Sequence, residues 1–169
     1  MEVRKFEVGM YGGKFLPFHK GHAYCIDVCC AECEEPHMIL FVNGADEDRI
    51  GSEGCCDPGF RAERMARYLE RNHPHARLHV IDLSGARNPD GREDWDAETP
   101  LVRAILPHID AIYSSEPSYG PYFARAYPEA VHRLVDPDRM FIPISGTQVR
   151  KMDSREAMRW IMRATSSVP

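Results

Sequence analysis

The stretch Gly12-Gly13-Lys14-Phe15-Leu16-Pro17-Phe18-His19-Lys20-Gly21-His22 decides how this chain is read. It follows a β-like run, Val3 to Tyr11, and opens a helical segment from about Lys20 to Cys33. A turn between a strand and a helix start presents unpaired backbone N–H groups and the positive end of the helix dipole, which together favour an anion. Gly12 and Gly13 let the backbone approach a phosphate, and Gly21 leaves room between His19 and His22, which project to the same side. Lys14 and Lys20 add positive charge. Two common phosphate motifs fail. From Gly9 to Lys14 the spacing is one residue short of a P-loop, Phe15 stands where its hydroxyl should be, and G-x-G-x-x-G is absent. What remains is G-x-F-x-P-x-H-x-G-H, from Gly13 to His22. On residue type alone, the pair could equally be two helix-start histidines beside a turn.

Outward from this turn, strand and helix patterns alternate. Met38 to Val42 is a short continuous apolar run, as expected of a strand covered on both faces. Phe60 to Arg71 reads as helix, Leu78 to Leu83 as strand, Leu101 to Leu106 as helix stopped at Pro107, and Ile109 to Tyr113 as strand. Tyr119 to Tyr127 reads as helix, Val131 to Val135 as a fifth strand, and a last helix covers about Arg155 to Arg163. Such alternation predicts a Rossmann-like, doubly wound α/β sheet of about five parallel strands with helices on both faces, binding its ligand beyond the carboxyl ends of the strands. Two polar loops, Asn43 to Gly59 and Ser84 to Asp96, interrupt the pattern; the acids Asp46 and Asp48 of the first read as solvated, and the second carries Trp95. One domain is expected over 1–165, with a frayed tail at 166–169.

Composition narrows the class. A chain of 169 residues with net charge −5, 43% apolar and 28% charged residues fits a soluble globular protein. No apolar run approaches a membrane span, and the first residues lack the long apolar stretch of a signal peptide. The mild acidity argues against a dedicated nucleic-acid binder. Six cysteines, Cys25, Cys29, Cys30, Cys33, Cys55 and Cys56, lack the separated C-x2-C pairs of a zinc ribbon. They read as core thiols in a reducing cytoplasm, with a metal or redox site as the alternative.

A second segment, Ile144-Ser145-Gly146-Thr147-Gln148-Val149-Arg150, reads as another phosphate cradle: Ser145 is a good N-cap, and Arg150 lies one helical turn further on. Together G-x-F-x-P-x-H-x-G-H and I-S-x-T-x-x-R resemble the nucleotidylyltransferase superfamily, whose H-x-G-H is shared with class I aminoacyl-tRNA synthetases. Within it the chain looks like the nicotinamide mononucleotide (NMN) adenylyltransferase domain of NadR-type proteins over nearly its whole length. Tyr113-Ser114-Ser115-Glu116-Pro117 and Val135-Asp136-Pro137-Asp138-Arg139 carry that narrower likeness. NadR-type proteins also hold a ribosylnicotinamide kinase domain, and some a DNA-binding helix-turn-helix; neither is expected within these residues. Where the family has a tryptophan-rich stretch, this chain has Asp90-Gly91-Arg92-Glu93-Asp94-Trp95, with Arg92 at a common aromatic position.

The resemblance implies transfer of AMP from ATP to NMN, giving NAD and pyrophosphate, with Mg2+ carried on the ATP phosphates and no protein ligand named. It implies that His19 and His22 contact the ATP phosphates, that Ser145, Thr147 and Arg150 hold the β- and γ-phosphates, and that Lys14 contacts phosphate near the acceptor. Gly12, Gly13, Phe15, Gly21 and Ile144 complete the nucleotide site. Ser115 and Glu116 are candidates to touch adenosine; Asp136 and Arg139 either do the same or brace their loop as an ion pair. Trp95 is the candidate to stack on the pyridinium ring, the alternative being an ordinary amphipathic tryptophan. Arg61 and Arg64 either reach the acceptor phosphate or lie on a solvated helix face. Other phosphorylated acceptors (phosphopantetheine, FMN or a polyol phosphate, with CTP as a further donor) and a non-catalytic nucleotide sensor are the competing readings, and a homo-oligomer is compatible with all of them.

Overall fold

The computed structural model describes residues 3–42, 56–90 and 92–163. The loop acids Asp46 and Asp48, Cys55, Gly91 and the tail 166–169 therefore lie outside the described residues. Five parallel strands form one sheet in the order β3-β2-β1-β4-β5: β1 Phe6–Gly13, β2 Cys33–Val42, β3 Arg77–Asp82, β4 Ala111–Ser114 and β5 Val131–Leu134. The chain winds outward from β1 in one direction through β2 and β3, then returns to the other side of β1 for β4 and β5. The order therefore reverses between β1 and β4, which opens a crevice at their carboxyl ends. This is the doubly wound α/β architecture expected from the alternation.

Strand alternation divides the core into two layers. Tyr11, Met38, Leu40, Ala111 and Tyr113 face α1 (Lys20–Glu32) and α2 (Pro58–Asn72), packing on Cys25, Ile26, Cys29 and Met65. Their neighbours Met10, Ile39, Ile81 and Ile112 face α3 (Trp95–Ile105) and α4 (Gly120–Ala126), against Val102 and Leu106. Each such fully buried side chain stabilises the fold by about 1.5–3 kcal/mol. The five described cysteines are free and buried. No helix among the described residues is long and apolar enough to cross a membrane.

Three boundaries differ from the sequence expectation. The first helix ends at Glu32, and Cys33 already pairs with Phe6 in the sheet. Glu34, Glu35 and Pro36 are tolerated in β2 because β3 pairs with β2 only from His37 onward, so the missing N–H of Pro36 breaks no inner ladder. The helix that contains Leu101 reaches back to Trp95, into the loop expected over Ser84 to Asp96: the Asp94 carboxylate accepts the Ala97 N–H at 3.1 Å, Asp96 and Glu98 favour the positive end of the dipole, and Pro100 forfeits a single bond on an exposed turn. At the end of the chain a continuous helix over Arg155–Arg163 is replaced by one turn, α6 (Ser154–Ala157), and a strap. The strap's backbone pairs instead with the histidine turn: Lys20 N–H donates to Trp160 O and Met162 N–H to Phe18 O, both at 2.9 Å, while Ile161 bridges His19.

Candidate functional site

A cleft of about 620 Å³ opens at the carboxyl ends of β1 and β4, within the size range of small-molecule sites. Its first wall is the turn from β1 into α1. His19 is the N-cap of α1, and its Nδ1 accepts the Gly21 N–H at 3.0 Å; His22 Nδ1 accepts the His19 N–H at 3.2 Å. The two imidazoles thus form a reciprocal capping box and stack with centroids 3.7 Å apart. With each Nδ1 occupied as an acceptor, each neutral ring keeps its proton on Nε2, a donor suited to a phosphate oxygen. Burial and the Arg139 and Arg150 guanidiniums pull His19 down to about 3. Burial, His19 and Arg139 hold His22 well below the ordinary imidazole range. Phe15 supports His22 edge-on at 4.8 Å from a left-handed conformation, φ 52°. Gly21 is required for space: a Cβ there would lie 2.8 Å from His19 Cε1.

A second wall, packed directly against that turn, is α5 (Gly146–Lys151). Ser145 Oγ accepts the Gln148 N–H at 3.2 Å, and Gln148 Oε1 accepts the Ser145 N–H at 2.8 Å, a second capping box. The helix is only six residues long, so its dipole is small and the positive potential comes chiefly from side chains. Arg150 donates through Nη1 to Leu16 O at 2.6 Å and through Nη2 to Thr147 Oγ1 at 3.3 Å. Arg139 donates to Ile144 O at 2.7 Å. Its loop is held by the Asp136 carboxylate, which accepts N–H bonds from Met140, Phe141 and Ile142.

The remaining wall is aromatic and acidic. Trp95 is packed edge-on by Tyr119 and Tyr122 at 5.0 and 5.1 Å, and Thr99 Oγ1 bonds the Tyr122 hydroxyl at 2.8 Å. Trp95 Nε1 donates to Glu93 Oε2 at 3.2 Å, while Glu93 Oε1 pairs with the Lys14 ammonium. Glu98 follows Trp95 by three residues along α3, only 8% exposed, and burial pushes its carboxyl up to about 7 against the pull of Lys14.

The structure thus brings Gly12, Gly13, Lys14, Phe15, His19, Gly21, His22, Trp95, Ser115, Glu116, Arg139, Ser145, Thr147 and Arg150 around one cavity. Ile144 and Asp136 stand behind it, supporting Arg139 through the carbonyl of one and the loop bonds of the other. Arg64 does not line the cleft; its guanidinium lies over the Phe60 ring, 4.5 Å from the centroid. Arg61 is fully buried and ties α2 to the backbone carbonyls of Cys56 and Lys14. Sequence reasoning missed Glu93, Glu98, Tyr119, Tyr122, Phe123 and Tyr127, all of which line the cavity. The aromatic spacing at 119, 122, 123 and 127 was a usable signal, since those offsets share one helical face.

No protein-family model matches the chain. It is homologous to the trifunctional NAD biosynthesis/regulator protein NadR of Salmonella typhimurium, 28% identical over 157 residues, or 88% of this chain and 37% of that protein. It is 29% identical over 144 residues to the nicotinamide-nucleotide adenylyltransferase of Methanocorpusculum labreanum, which covers 85% of this chain and 77% of that one. Among solved structures, NadR in complex with NAD and AMP-PNP shares the fold, with a TM-score of 0.66 and 20% identity over 96% of this chain and 47% of that chain. The chain therefore spans less than half the length of the NadR proteins it matches.

Proposed function

We propose that this protein transfers the adenylyl group of ATP to nicotinamide mononucleotide, forming NAD and releasing pyrophosphate. The observation that carries this reading is the polarity of one cleft. Two stacked imidazoles lie within the field of Arg139 and Arg150, and a tryptophan held by Glu93 closes the acceptor side. The homologies to NadR and to an archaeal nicotinamide-nucleotide adenylyltransferase support the same assignment.

In this reading a phosphate oxygen of the acceptor attacks the α-phosphorus of ATP. The bond to the bridging oxygen of pyrophosphate breaks, and no protein nucleophile is needed. Catalysis then consists of holding two anionic groups in line and neutralising charge on the departing pyrophosphate. His19 and His22 donate from Nε2 to the phosphates, and Arg150, Arg139, Ser145 and Thr147 take the β- and γ-phosphates. Lys14 sits toward the acceptor. Ser115 and Glu116, at the end of β4, face the adenosine. Among the described residues no group of three or more His, Cys, Asp or Glu side chains could hold a metal. In this reading Mg2+ enters as MgATP, part of the substrate, and none of the steps assigned to these residues passes through a protein-held ion. Free buried thiols suit a reducing cytoplasm.

The test is pyrophosphate release over a grid of donors and acceptors, with NAD identified by its reduction in a coupled dehydrogenase assay. ATP plus NMN should give the signal. Silence with that pair and turnover with CTP, FMN, phosphopantetheine or a polyol phosphate would replace the acceptor, and silence with every pair alongside tight ATP binding would make the protein a sensor.

A further inference from the structure

The carboxyl of Glu98 is not accounted for by the transfer of AMP. The residue is only 8% exposed overall, and it lines the cleft. A carboxyl so enclosed, and placed in the cavity lining, is positioned to meet a ligand group. Its neighbours show which ligand group arrives there. Glu98 follows Trp95 by three residues on α3, so both project from one face. The adjacent Thr99 fixes Tyr122 against the Trp95 carbonyl, and Glu93 caps the indole N–H. Lys14 pairs with Glu93 and also acts on Glu98, and the helix cap Asp94 adds a further acid beside them. Arg139 and Arg150 line the same cavity.

We propose that Glu98 is a specificity-determining residue that admits an acceptor whose pyridinium ring carries an uncharged carboxamide and rejects the analogue carrying a carboxylate. The proposal rests on the adenylyl-transfer reading above. A carboxamide offers an N–H2 and a C=O, so it satisfies Glu98 in either protonation state. A ring carboxylate can only accept, so it bonds the neutral acid alone and is repelled by the ionised form. Discrimination of this type comes from the repulsive element as much as from the attractive one. The groups that face Glu98 are the Lys14 ammonium from the turn after β1, the Asp94 carboxylate from its own helix cap, and the Tyr122 and Tyr127 hydroxyls from α4 and its cap. Both tyrosines are held neutral by burial. Glu98 is therefore the group in this set that changes charge near neutrality, and the preference for the amide widens as pH rises.

The experiment compares kcat/KM for NMN and for nicotinic acid mononucleotide, with saturating MgATP, in the wild-type protein and in Glu98→Gln. The wild type should prefer the amide. Glu98→Gln should raise kcat/KM for the acid about tenfold while the amide changes less than about threefold, since only the repulsion has been removed. A merely structural role for Glu98 would lower both values together. An unchanged ratio in the variant, with both acceptors turned over, overturns the proposal while leaving adenylyl transfer intact. Absence of turnover of either mononucleotide by the wild type overturns the adenylyl-transfer reading and this proposal with it. Should Glu98→Gln fail to fold, the wild type alone decides: its amide-to-acid ratio should climb between about pH 6 and pH 8, and a flat ratio overturns the proposal.

Discussion

Arg150 donates its Nη1 to the carbonyl oxygen of Leu16 at 2.6 Å, across 134 positions of sequence. This bond ties the two glycine-containing segments together along one cleft. It also leaves little room at Gly146, where a Cβ would lie 3.0 Å from Leu16 O and 3.2 Å from Arg150 Nη1. Arg150→Ala should lower kcat/KM by about 10²–10³, the usual cost of removing a preorganised charged donor. Arg150→Lys should recover little of it, because an ammonium cannot reproduce the planar fork that spans Leu16 and Thr147. Steady-state pyrophosphate release measures both; wild-type rates in Arg150→Ala would remove this residue from the chemistry.

The histidine pair carries a prediction of the opposite kind, an absence of pH dependence. Both Nδ1 atoms are occupied by backbone N–H donors, so protonating either ring breaks the cap of α1. Burial and the nearby guanidiniums act in the same direction on His19, which is held at about 3. The imidazoles should therefore act as neutral Nε2–H donors, and kcat should show no histidine limb from about pH 8 down to about pH 5.5. Nitrogen NMR of the two rings should report the Nε2–H tautomer throughout that range. An acid limb near the ordinary imidazole pKa, lost in His22→Asn, would contradict it.

Much of this arrangement can be read from the chain without coordinates, because it is local. The strand–turn–helix of residues 6–32, the Ser145 cap and the spacing of His19, His22 and Arg150 all follow from short-range rules of capping and glycine placement. What escaped sequence reasoning is tertiary. Glu98 is an acid at an ordinary helical position, and only the packing of α3 against the sheet makes it a buried one. Pro100 hid the start of α3, because the cap at Asp94 outweighs one missing backbone bond. The strap 160–162 left its helical pattern because pairing with Phe18, His19 and Lys20 satisfies its backbone better. Arg64 follows Phe60 by one helical turn, and the cation over that ring outcompeted a reach into the cleft.

Glu98 also makes the free protein's stability depend on pH. Its folded-state pKa is raised to about 7, above the ordinary carboxyl value. The folded protein therefore holds a proton that the unfolded chain has already released. Stability from this group is complete below the unfolded value and is lost as pH climbs toward 7. Glu98→Gln mimics the protonated acid, so the variant should match the wild type near about pH 4.5 and exceed it near about pH 8, by on the order of 2 kcal/mol. Thermal or urea melts at the two pH values check this; a variant less stable than the wild type at the higher pH would show that the ionised carboxyl is satisfied by partners in the free protein.

Under the proposed function, substitutions at Trp95 should separate acceptor binding from donor binding. Its ring is fixed by Tyr119, Tyr122 and the Glu93 carboxylate, so little ordering remains when a flat cationic ring stacks on it. Cation–π contact contributes about 0.5–2 kcal/mol, which translates to a rise of roughly 2- to 30-fold in the KM for NMN in Trp95→Ala. Trp95→Phe keeps an aromatic face but loses the Nε1 bond to Glu93, which frees that carboxylate to pair more fully with Lys14. Its KM should lie between the other two, because phenylalanine is the weaker cation–π partner. The KM for ATP should change little in either variant, since the indole ring packs on Tyr119 and Tyr122 and not on His19 or His22. Equal losses for both substrates would instead mean that Trp95 supports the whole cleft, and that the pyridinium ring stacks elsewhere.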